Sequence, residues 1–151
     1  MKRQKQKLLT GLTGEYFVTG ILCRKGYYAS LTLKNYPDTD IFVKNSDNNK
    51  EMSIQVKTKA LKKFSDKNEF FLPKKIDSLN NIFVFVLLLE NGDTRYYIAH
   101  SKDIAKISSE RKKEYIDNNP QVDKDKQLTM ISLYDLQFYE NKWDIIENEL
   151  Q

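Results

Sequence analysis

Hydrophobic and polar positions along the chain follow first a helical and then a strand-like period. Residues 7–25 carry apolar side chains at helical spacing, at Leu8, Leu12, Val18 and Leu22. Gly26 follows directly and is typical of the residue that ends a helix. Residues 27–33 (YYASLTL) are instead rich in aromatic and β-favouring side chains. The N-terminal part of the chain is therefore predicted to fold as a helix followed by a strand.

Four further runs of strand-forming residues, bounded by turn-forming residues, predict two β-hairpins. Asp40–Lys44 and Glu51–Lys59 are joined by a short polar loop, which favours an antiparallel pair. Ile82–Glu90 is apolar almost throughout, as expected for a strand that is buried on both faces of a sheet. An Asn-Gly-Asp turn then leads to Arg95–Ala99, which we expect to be the partner of that strand.

The remaining segments predict helices and one ambiguous stretch. Ser101 is a suitable N-cap for a helix that ends before Pro120. Residues 133–150 have large apolar side chains at helical spacing, so one or two helices are expected there. Residues 60–80 fit a loop with a short helix after Pro73. The order αβββ, then a β-hairpin, then C-terminal helices indicates an α/β fold with a central mixed β-sheet flanked by helices.

Length and composition narrow the class of protein. The chain of 151 residues is long enough to bury a full core as a single domain, residues 1–151. Its one cysteine, Cys23, cannot form an intrachain disulfide, and the basic start MKRQKQKLL is not followed by the apolar stretch of a secretory signal. The longest apolar run, Ile82–Leu89, is far shorter than the roughly 20 residues that span a bilayer. We therefore expect a cytoplasmic protein with no membrane partner.

The charge of the chain is mildly basic, with a formal net charge of +4 and an isoelectric point near 9.0. Lysines are concentrated in one segment, at Lys57, Lys59, Lys62, Lys63, Lys67, Lys74 and Lys75. Clusters of this kind bind phosphate backbones by releasing counterions. A solvated lysine-rich loop explains the same pattern, so charge alone leaves both interpretations open.

The third predicted strand has a polar face. Side chains alternate along a strand, so Gln55, Lys57 and Lys59 lie on one face and the apolar residues between them on the other. An amide and two ammonium groups on one face are suited to binding a phosphate and a metal. An ordinary amphipathic strand has the same pattern, so this face is not sufficient evidence of a site.

Glu15 changes this assessment, because it falls in the middle of the apolar stripe of the first helix. A carboxylate on such a face costs several kcal/mol unless it is paired or binds a metal. Gly11 and Gly14 flank it and would let the helix approach a sheet closely. An ion pair with Lys57 is the alternative to a metal site, and it brings Glu15 to the same strand.

Three short motifs, taken in order, resemble the PD-(D/E)XK nuclease superfamily. They are Gly14-Glu15 on the helix, Pro37-Asp38-Thr39-Asp40 before the second strand, and Gln55-Val56-Lys57 on the third strand. The resemblance covers roughly residues 8–60 and implies a restriction-endonuclease-like core. Gln55 departs from the usual carboxylate, and this Q-x-K variant is similar to Mrr-type restriction nucleases and Holliday-junction-resolvase-like nucleases.

The resemblance implies a metal-dependent endonuclease that hydrolyses phosphodiester bonds of DNA. Its catalytic residues would be Glu15, Asp40, Gln55 and Lys57. The metal, Mg²⁺ with Mn²⁺ as a substitute, would be held by Glu15, Asp40, Gln55 and the backbone carbonyl of Val56. We assign the metal aspartate to Asp40 rather than Asp38, because Asp40 directly precedes the apolar run. Contacts to phosphates would come from Lys59, Lys62 and Lys63.

Gln55 also supports an alternative function. An amide in place of a carboxylate removes one negative charge from the site, so we expect weaker metal binding than in a Glu-x-Lys relative. The alternative is a nuclease-fold domain that has lost catalysis and binds nucleic acid or protein. The sequence does not separate DNA from RNA, and a domain of this size often needs a second copy to cut both strands of a duplex, so a homodimer is an expectation.

Overall fold

A computed structural model of the chain describes residues 1–33 and 36–151, and in this part of the chain a mixed five-stranded β-sheet forms the centre of the fold. The strands, in chain order, are β1 (Tyr28–Leu31), β2 (Ile41–Lys44), β3 (Glu51–Leu61), β4 (Glu69–Phe71), β5 (Ile82–Leu89), β6 (Thr94–His100) and β7 (Met130–Ser132). The α-helices are α1 (Lys2–Arg24), α2 (Ser101–Asn118), α3 (Leu133–Leu136) and α4 (Asp144–Leu150). Short 3₁₀ turns lie at Ile76–Ser78, Lys124–Lys126 and Gln137–Tyr139.

The order of strands in the central sheet is β1-β2-β3-β5-β6. The first three strands form an antiparallel meander, and β5 and β6 form an antiparallel hairpin. The two units join through the parallel pair β3 and β5, in which Ile54 lies opposite Ile82 and Leu61 opposite Leu89. Strands β4 and β7 form a separate antiparallel pair. The predicted mixed sheet and both predicted hairpins are confirmed.

Two hydrophobic clusters cover the two faces of the sheet. On the first face, Val18 and Leu22 of α1 and Ile146 of α4 pack against the inward-facing residues of β2, β3 and β5. On the second face, Ile104 of α2 and Ile131 of β7 pack against the phenylalanines of β5. Strand β5 contributes alternate residues to both clusters and is buried on both sides, as its sequence predicts.

Helix α1 begins at Lys2, five residues earlier than its apolar period predicts. The residues added are mostly Lys, Arg and Gln, which favour helix even where nothing packs against them. Leu8 was predicted to lie on the packed face, and this is wrong: it is 46% exposed, and the buried residues are Gly14, Val18 and Leu22. Gly26 follows the helix with φ +94°, which a glycine adopts without strain, so the predicted C-terminus is confirmed.

Other element boundaries differ from prediction in small ways. Ser101 is the first residue of α2 rather than its cap, and its hydroxyl instead donates to the carbonyl of Leu79 at 2.8 Å. A short 3₁₀ turn follows Pro73, as expected. Strands β4 and β7 were not predicted, because three-residue strands have too few positions to show a period.

Among the residues that the structure describes, no helix combines the length and the apolar character needed to cross a membrane.

Candidate active site

Strand β3 runs past the end of its neighbour β2, and the candidate site lies where the pairing stops. Ladder pairing with β2 extends from Glu51 to Ile54, whereas pairing with β5 extends from Ile54 to Leu61. One edge of β3 is therefore free of a partner strand beyond this point, and side chains from both faces of the sheet can approach it. Asp40, which directly precedes β2, lies at the start of this free edge.

Asp40 is anchored to β3 by both its backbone and its side chain. Its backbone N–H donates to the carbonyl of Ile54 at 2.9 Å, and its carboxylate Oδ2 accepts from the N–H of Val56 at 2.7 Å. The carboxylate thus occupies the place of the next backbone acceptor in the ladder. The N–H and C=O of one strand residue point to the same side, so the carbonyl of Val56 also faces the free edge beside Asp40.

The turn before Asp40 is held by two side chains, one near in sequence and one distant. Asp38 has φ 54°, a left-handed conformation that is unusual for a non-glycine residue. The side-chain amide of Asn81 donates to the carbonyl of Asp38 at 2.8 Å, and the hydroxyl of Thr32 donates to the carbonyl of Thr39 at 2.7 Å. Asn81 was missed by the sequence analysis. The available signal was its place directly before β5, the parallel neighbour of β3.

Glu15 reaches the site because α1 lies directly on β3. A Cβ on Gly14 would overlap the hydroxyl oxygen of Thr58 and lie 2.9 Å from its Cβ, so only a glycine permits this approach. The prediction of close contact is confirmed for Gly14 and wrong for Gly11, which has no atom within 4 Å of the corresponding position. Glu15 forms no ion pair with Lys57, so the alternative interpretation of Glu15 is not realised.

The two carboxylates lie close enough to influence each other. Burial raises the pKa of Glu15, and the charge of Asp40 raises it further. Burial also raises the pKa of Asp40, while the N–H of Val56 and the ammonium of Lys57 lower it and the charge of Asp38 raises it, with a net increase. Glu15, Asp40 and Lys57 are thus coupled in one partly buried site, in which negative charge is incompletely compensated.

Gln55 directly precedes Val56 on β3, and the acceptor of its side chain is unused. The residue is 8% exposed, and its side-chain oxygen Oε1 has no hydrogen-bond partner in the part of the chain that the structure describes. An unsatisfied buried polar atom costs about 1–3 kcal/mol, so it calls for an explanation. An amide oxygen is a suitable ligand for a hard cation. The orphaned oxygen therefore fits a site that is completed by a bound metal.

The lysines predicted to act with this group lie in different environments. Lys57 lies on the second face of the sheet, opposite Phe85 in the ladder, and is half-buried. The ammonium of Lys59 donates to the backbone carbonyl of Glu69 and lies 5.8 Å from the centre of the Phe70 ring. Lys62 and Lys63 are exposed just beyond the end of β3. Of the three lysines proposed for phosphate contacts, Lys62 and Lys63 are thus not held to any described residue by a bond like that between Lys59 and Glu69.

Across residues 1–33 and 36–151 no group of three or more His, Cys, Asp or Glu side chains is arranged to hold a metal ion. The ligands expected from the sequence are instead two carboxylates, those of Glu15 and Asp40, with the amide oxygen of Gln55 and the backbone carbonyl of Val56. The residues present fit a hard cation because all four donors are oxygens, two of them charged.

The fold is shared with a known endonuclease. No family model matches this chain, and none of the curated proteins matches it. Among solved structures, the chain is similar to a bacterial homing endonuclease, I-Ssp6803I, with a TM-score of 0.56 and 11% sequence identity over 93% of this chain and 91% of that one. At this identity the likeness shows a common fold.

Proposed function

We propose that this protein is a metal-dependent endonuclease that hydrolyses phosphodiester bonds of DNA, of the PD-(D/E)XK type with a glutamine in the third-strand motif. The observation that carries the proposal is the carboxylate of Asp40, which is hydrogen-bonded to β3 at Val56 and coupled electrostatically to Glu15 and Lys57, with the orphaned Oε1 of Gln55 on the preceding residue of the strand. The fold shared with a homing endonuclease supports it.

The proposed metal is Mg²⁺, with Mn²⁺ as a substitute. Glu15, Asp40, the amide oxygen of Gln55 and the carbonyl of Val56 are the proposed ligands. When bound, the ion would polarise the scissile phosphate and stabilise the leaving oxygen. Because the amide brings no charge, we expect weak binding of Mg²⁺, and tighter binding of Mn²⁺, which accepts mixed ligands more readily.

The side chains around the ion have separate roles in this proposal. Lys57 orients the attacking water and compensates the charge that develops on the phosphate. The N–H of Val56 binds one oxygen of the Asp40 carboxylate, and the other oxygen is the proposed metal ligand. Burial around Glu15 and Asp40 strengthens the electrostatic interactions between these groups and a bound phosphate.

DNA is the proposed partner, and the exposed Lys62 and Lys63 are the first candidates for phosphate contacts. Lys59 could contribute only by leaving its bond to the carbonyl of Glu69. RNA remains the alternative substrate, and we propose a homodimer for cutting both strands of a duplex. The proposed location is the cytoplasm, where thiols such as Cys23 stay reduced.

Nicking of supercoiled plasmid tests this function. We expect nicking by the wild type in Mn²⁺ and more slowly in Mg²⁺, with loss in EDTA. Lys57→Ala and Asp40→Ala should each reduce the rate at least about 100-fold, as expected when transition-state charge stabilisation is removed. Lys113→Ala, which removes an exposed lysine of α2, is the matched control and should nick at the wild-type rate.

The opposite result would favour the second candidate function, which Gln55 itself suggests. If the wild type binds DNA but nicks it in neither metal, the domain is a binding module. Gln55→Glu then becomes the informative variant, since it restores the missing carboxylate. Thermal unfolding with and without Mn²⁺ should show a larger metal-dependent increase in Tm for Gln55→Glu than for the wild type.

A further inference from the structure

Among the residues that the structure describes, the second face of the sheet is covered over β5 but not over β1 and β2. Over β5 this face is packed beneath α2, α3 and the pair β4 and β7. Over β1 and β2 it is exposed, and the burial of β2 alternates strictly along the strand. Side chains that are opposite in the ladder share a face, which places Ser30, Phe42 and Ser53 side by side. We refer to these three residues, with Tyr36, as the aromatic platform.

The platform contains two aromatic rings that pack edge to face. Phe42 is 42% exposed and Tyr36 is 52% exposed, and their ring centroids are 5.4 Å apart with an interplanar angle of 75°. Phe42 is held by ladder pairing on both sides of β2. The backbone N–H of Tyr36 donates to the carbonyl of Leu33 at 3.0 Å. A large ring that is rigid and faces water is the usual platform for stacking a nucleobase.

The platform is continuous with the candidate active site. Ser53 lies opposite Phe42, and Gln55 is the next residue of β3 on the same face, about 7 Å further along the strand. The orphaned oxygen of Gln55 is therefore about one nucleotide away from the Phe42 ring. A strand whose phosphate lies at Gln55 and Lys57 would place a neighbouring base over the platform.

We propose that the aromatic platform binds an unpaired nucleotide of the DNA substrate, next to the phosphodiester bond that is cleaved. The proposal rests on the proposed function for the position of that phosphate. Bases within a duplex are already stacked on both sides and offer no free surface to an inserted ring. The substrate class is therefore DNA with extruded or single-stranded bases, such as a gap, bulge or flap.

The chemistry of the platform favours a base over a second copy of the chain. A stable protein interface buries about 800 Å² on each partner, more than the platform alone provides, so a second copy would have to contact other parts of the chain as well. Among the described residues, the charged side chains closest to Phe42 in sequence or ladder register are Asp40, Lys44 and Glu51, of which Lys44 and Glu51 lie opposite each other, so positive charge does not predominate beside the rings. Binding at the platform should therefore depend on stacking, and its contribution should be insensitive to salt.

Binding of two DNAs of equal sequence, one fully paired and one with a gap of three nucleotides, tests this inference. We expect Phe42→Ala to weaken binding of the gapped DNA by about 5- to 100-fold in EDTA, equally at two salt concentrations. Binding of the paired DNA should change less than about twofold. Phe42→Tyr should keep wild-type affinity. Tyr36→Ala should weaken binding of the gapped DNA more than binding of the paired DNA, as Phe42→Ala does. Phe138→Ala, which removes a ring that is 78% exposed in the Gln137–Tyr139 turn, is the control.

A base analogue whose fluorescence falls on stacking, placed in the gap, reports the contact directly. Quenching by the wild type and its loss in Phe42→Ala would support the proposal. Equal loss of affinity on both DNAs would overturn it, as would sedimentation showing that Phe42→Ala merely converts a dimer into a monomer. If the wild type nicks plasmid and Phe42→Ala binds gapped DNA normally, the proposed stacking on the platform is refuted and the proposed nuclease activity is supported. If no DNA is nicked but Phe42→Ala selectively weakens binding of gapped DNA, the proposed nuclease activity is refuted and the proposed stacking on the platform is supported.

Discussion

Glu15 and Asp40 place two like charges in a site that is only partly exposed to water. Burial and the neighbouring Asp40 raise the pKa of Glu15, so the folded protein binds a proton at Glu15 more tightly than the unfolded chain does. The contribution of this group to stability is therefore fully present below the pKa of the unfolded glutamate. It is lost as the pH rises through the raised pKa of the folded state.

Neutralising Glu15 should stabilise the metal-free protein. We expect Glu15→Gln to increase the free energy of unfolding at pH 7.5 by up to about 1 kcal/mol, because solvent screens the charge of a carboxylate that is only partly buried. The gain should disappear near pH 4, where the wild-type glutamate is itself protonated. Urea denaturation in EDTA at both pH values measures this, with the exposed Glu114→Gln as control. A Glu15→Gln protein that is less stable at pH 7.5 would contradict the assignment.

At the scale of single residues, the sequence predicted which side chains to consider but not their surroundings. The position of Glu15 among apolar residues and the alternation of Gln55 with its neighbours are both visible in the sequence. The burial of Gln55 is not, because Phe83, its neighbour in the ladder, comes from a strand almost 30 residues later in the sequence. The support of Asp38 by Asn81 was missed for the same reason.

Among the elements, the contact between α1 and β3 positions the site most directly. Gly14 is buried against Thr58, whose hydroxyl oxygen lies where a Cβ would be. Any side chain here would push the helix away from the strand and move Glu15 away from Asp40. The separation of the two carboxylates thus depends on a residue that has no side chain.

Gly14→Ala should therefore impair both stability and activity. We expect a loss of about 1–3 kcal/mol in the free energy of unfolding, as for overpacking in a core, together with reduced nicking. Gly20→Ala in the same helix is the matched control, since no atom lies within 4 Å of the position that its new methyl group would take. That variant should gain up to about 1 kcal/mol from helix propensity. Equal effects of the two substitutions on chemical denaturation would show that the close approach is unimportant.

Element types were predictable where a period extends over several residues. The two hairpins, the buried strand β5 and the helices α1 and α2 all show such periods in the sequence. Strands β4 and β7 are three residues long and pair across about 60 residues of sequence, so no local pattern could indicate them. The start of α1 was missed because its first turns are exposed, and a hydrophobic period appears only where one face of a helix is buried.

For the whole molecule, the distribution of lysines matters more than the small net charge. The net charge of +4 is shared by many proteins that bind no nucleic acid, and the fold alone does not reveal a substrate. Lys62 and Lys63 are exposed just beyond the end of β3, five and six residues after Lys57. If they contact phosphates, their contribution must appear in the salt dependence of binding.

The double substitution of Lys62→Ala and Lys63→Ala should weaken DNA binding and reduce its salt dependence. The negative slope of log affinity against log salt should become less steep by about 2, one for each lost phosphate contact. Paired and gapped DNA should be affected equally, since phosphates carry no information about pairing. Lys113→Ala should leave the slope unchanged. An unchanged slope in the double variant would assign these lysines to a solvated loop.

The parallel ladder between β3 and β5 has a consequence for how the chain folds. Each antiparallel hairpin brings together residues that are near in sequence, whereas this ladder must close a connection of about 20 residues before it forms. We therefore expect the hairpins to form early and their docking to limit the rate. In kinetic measurements on Val84→Ala, most of the lost stability should then appear as slower folding, with a φ-value well above that of a residue in α4 such as Ile146. Asp40, Gln55 and Lys57 lie within or beside the first hairpin. Three of the four proposed catalytic residues are therefore expected to come together before β3 pairs with β5.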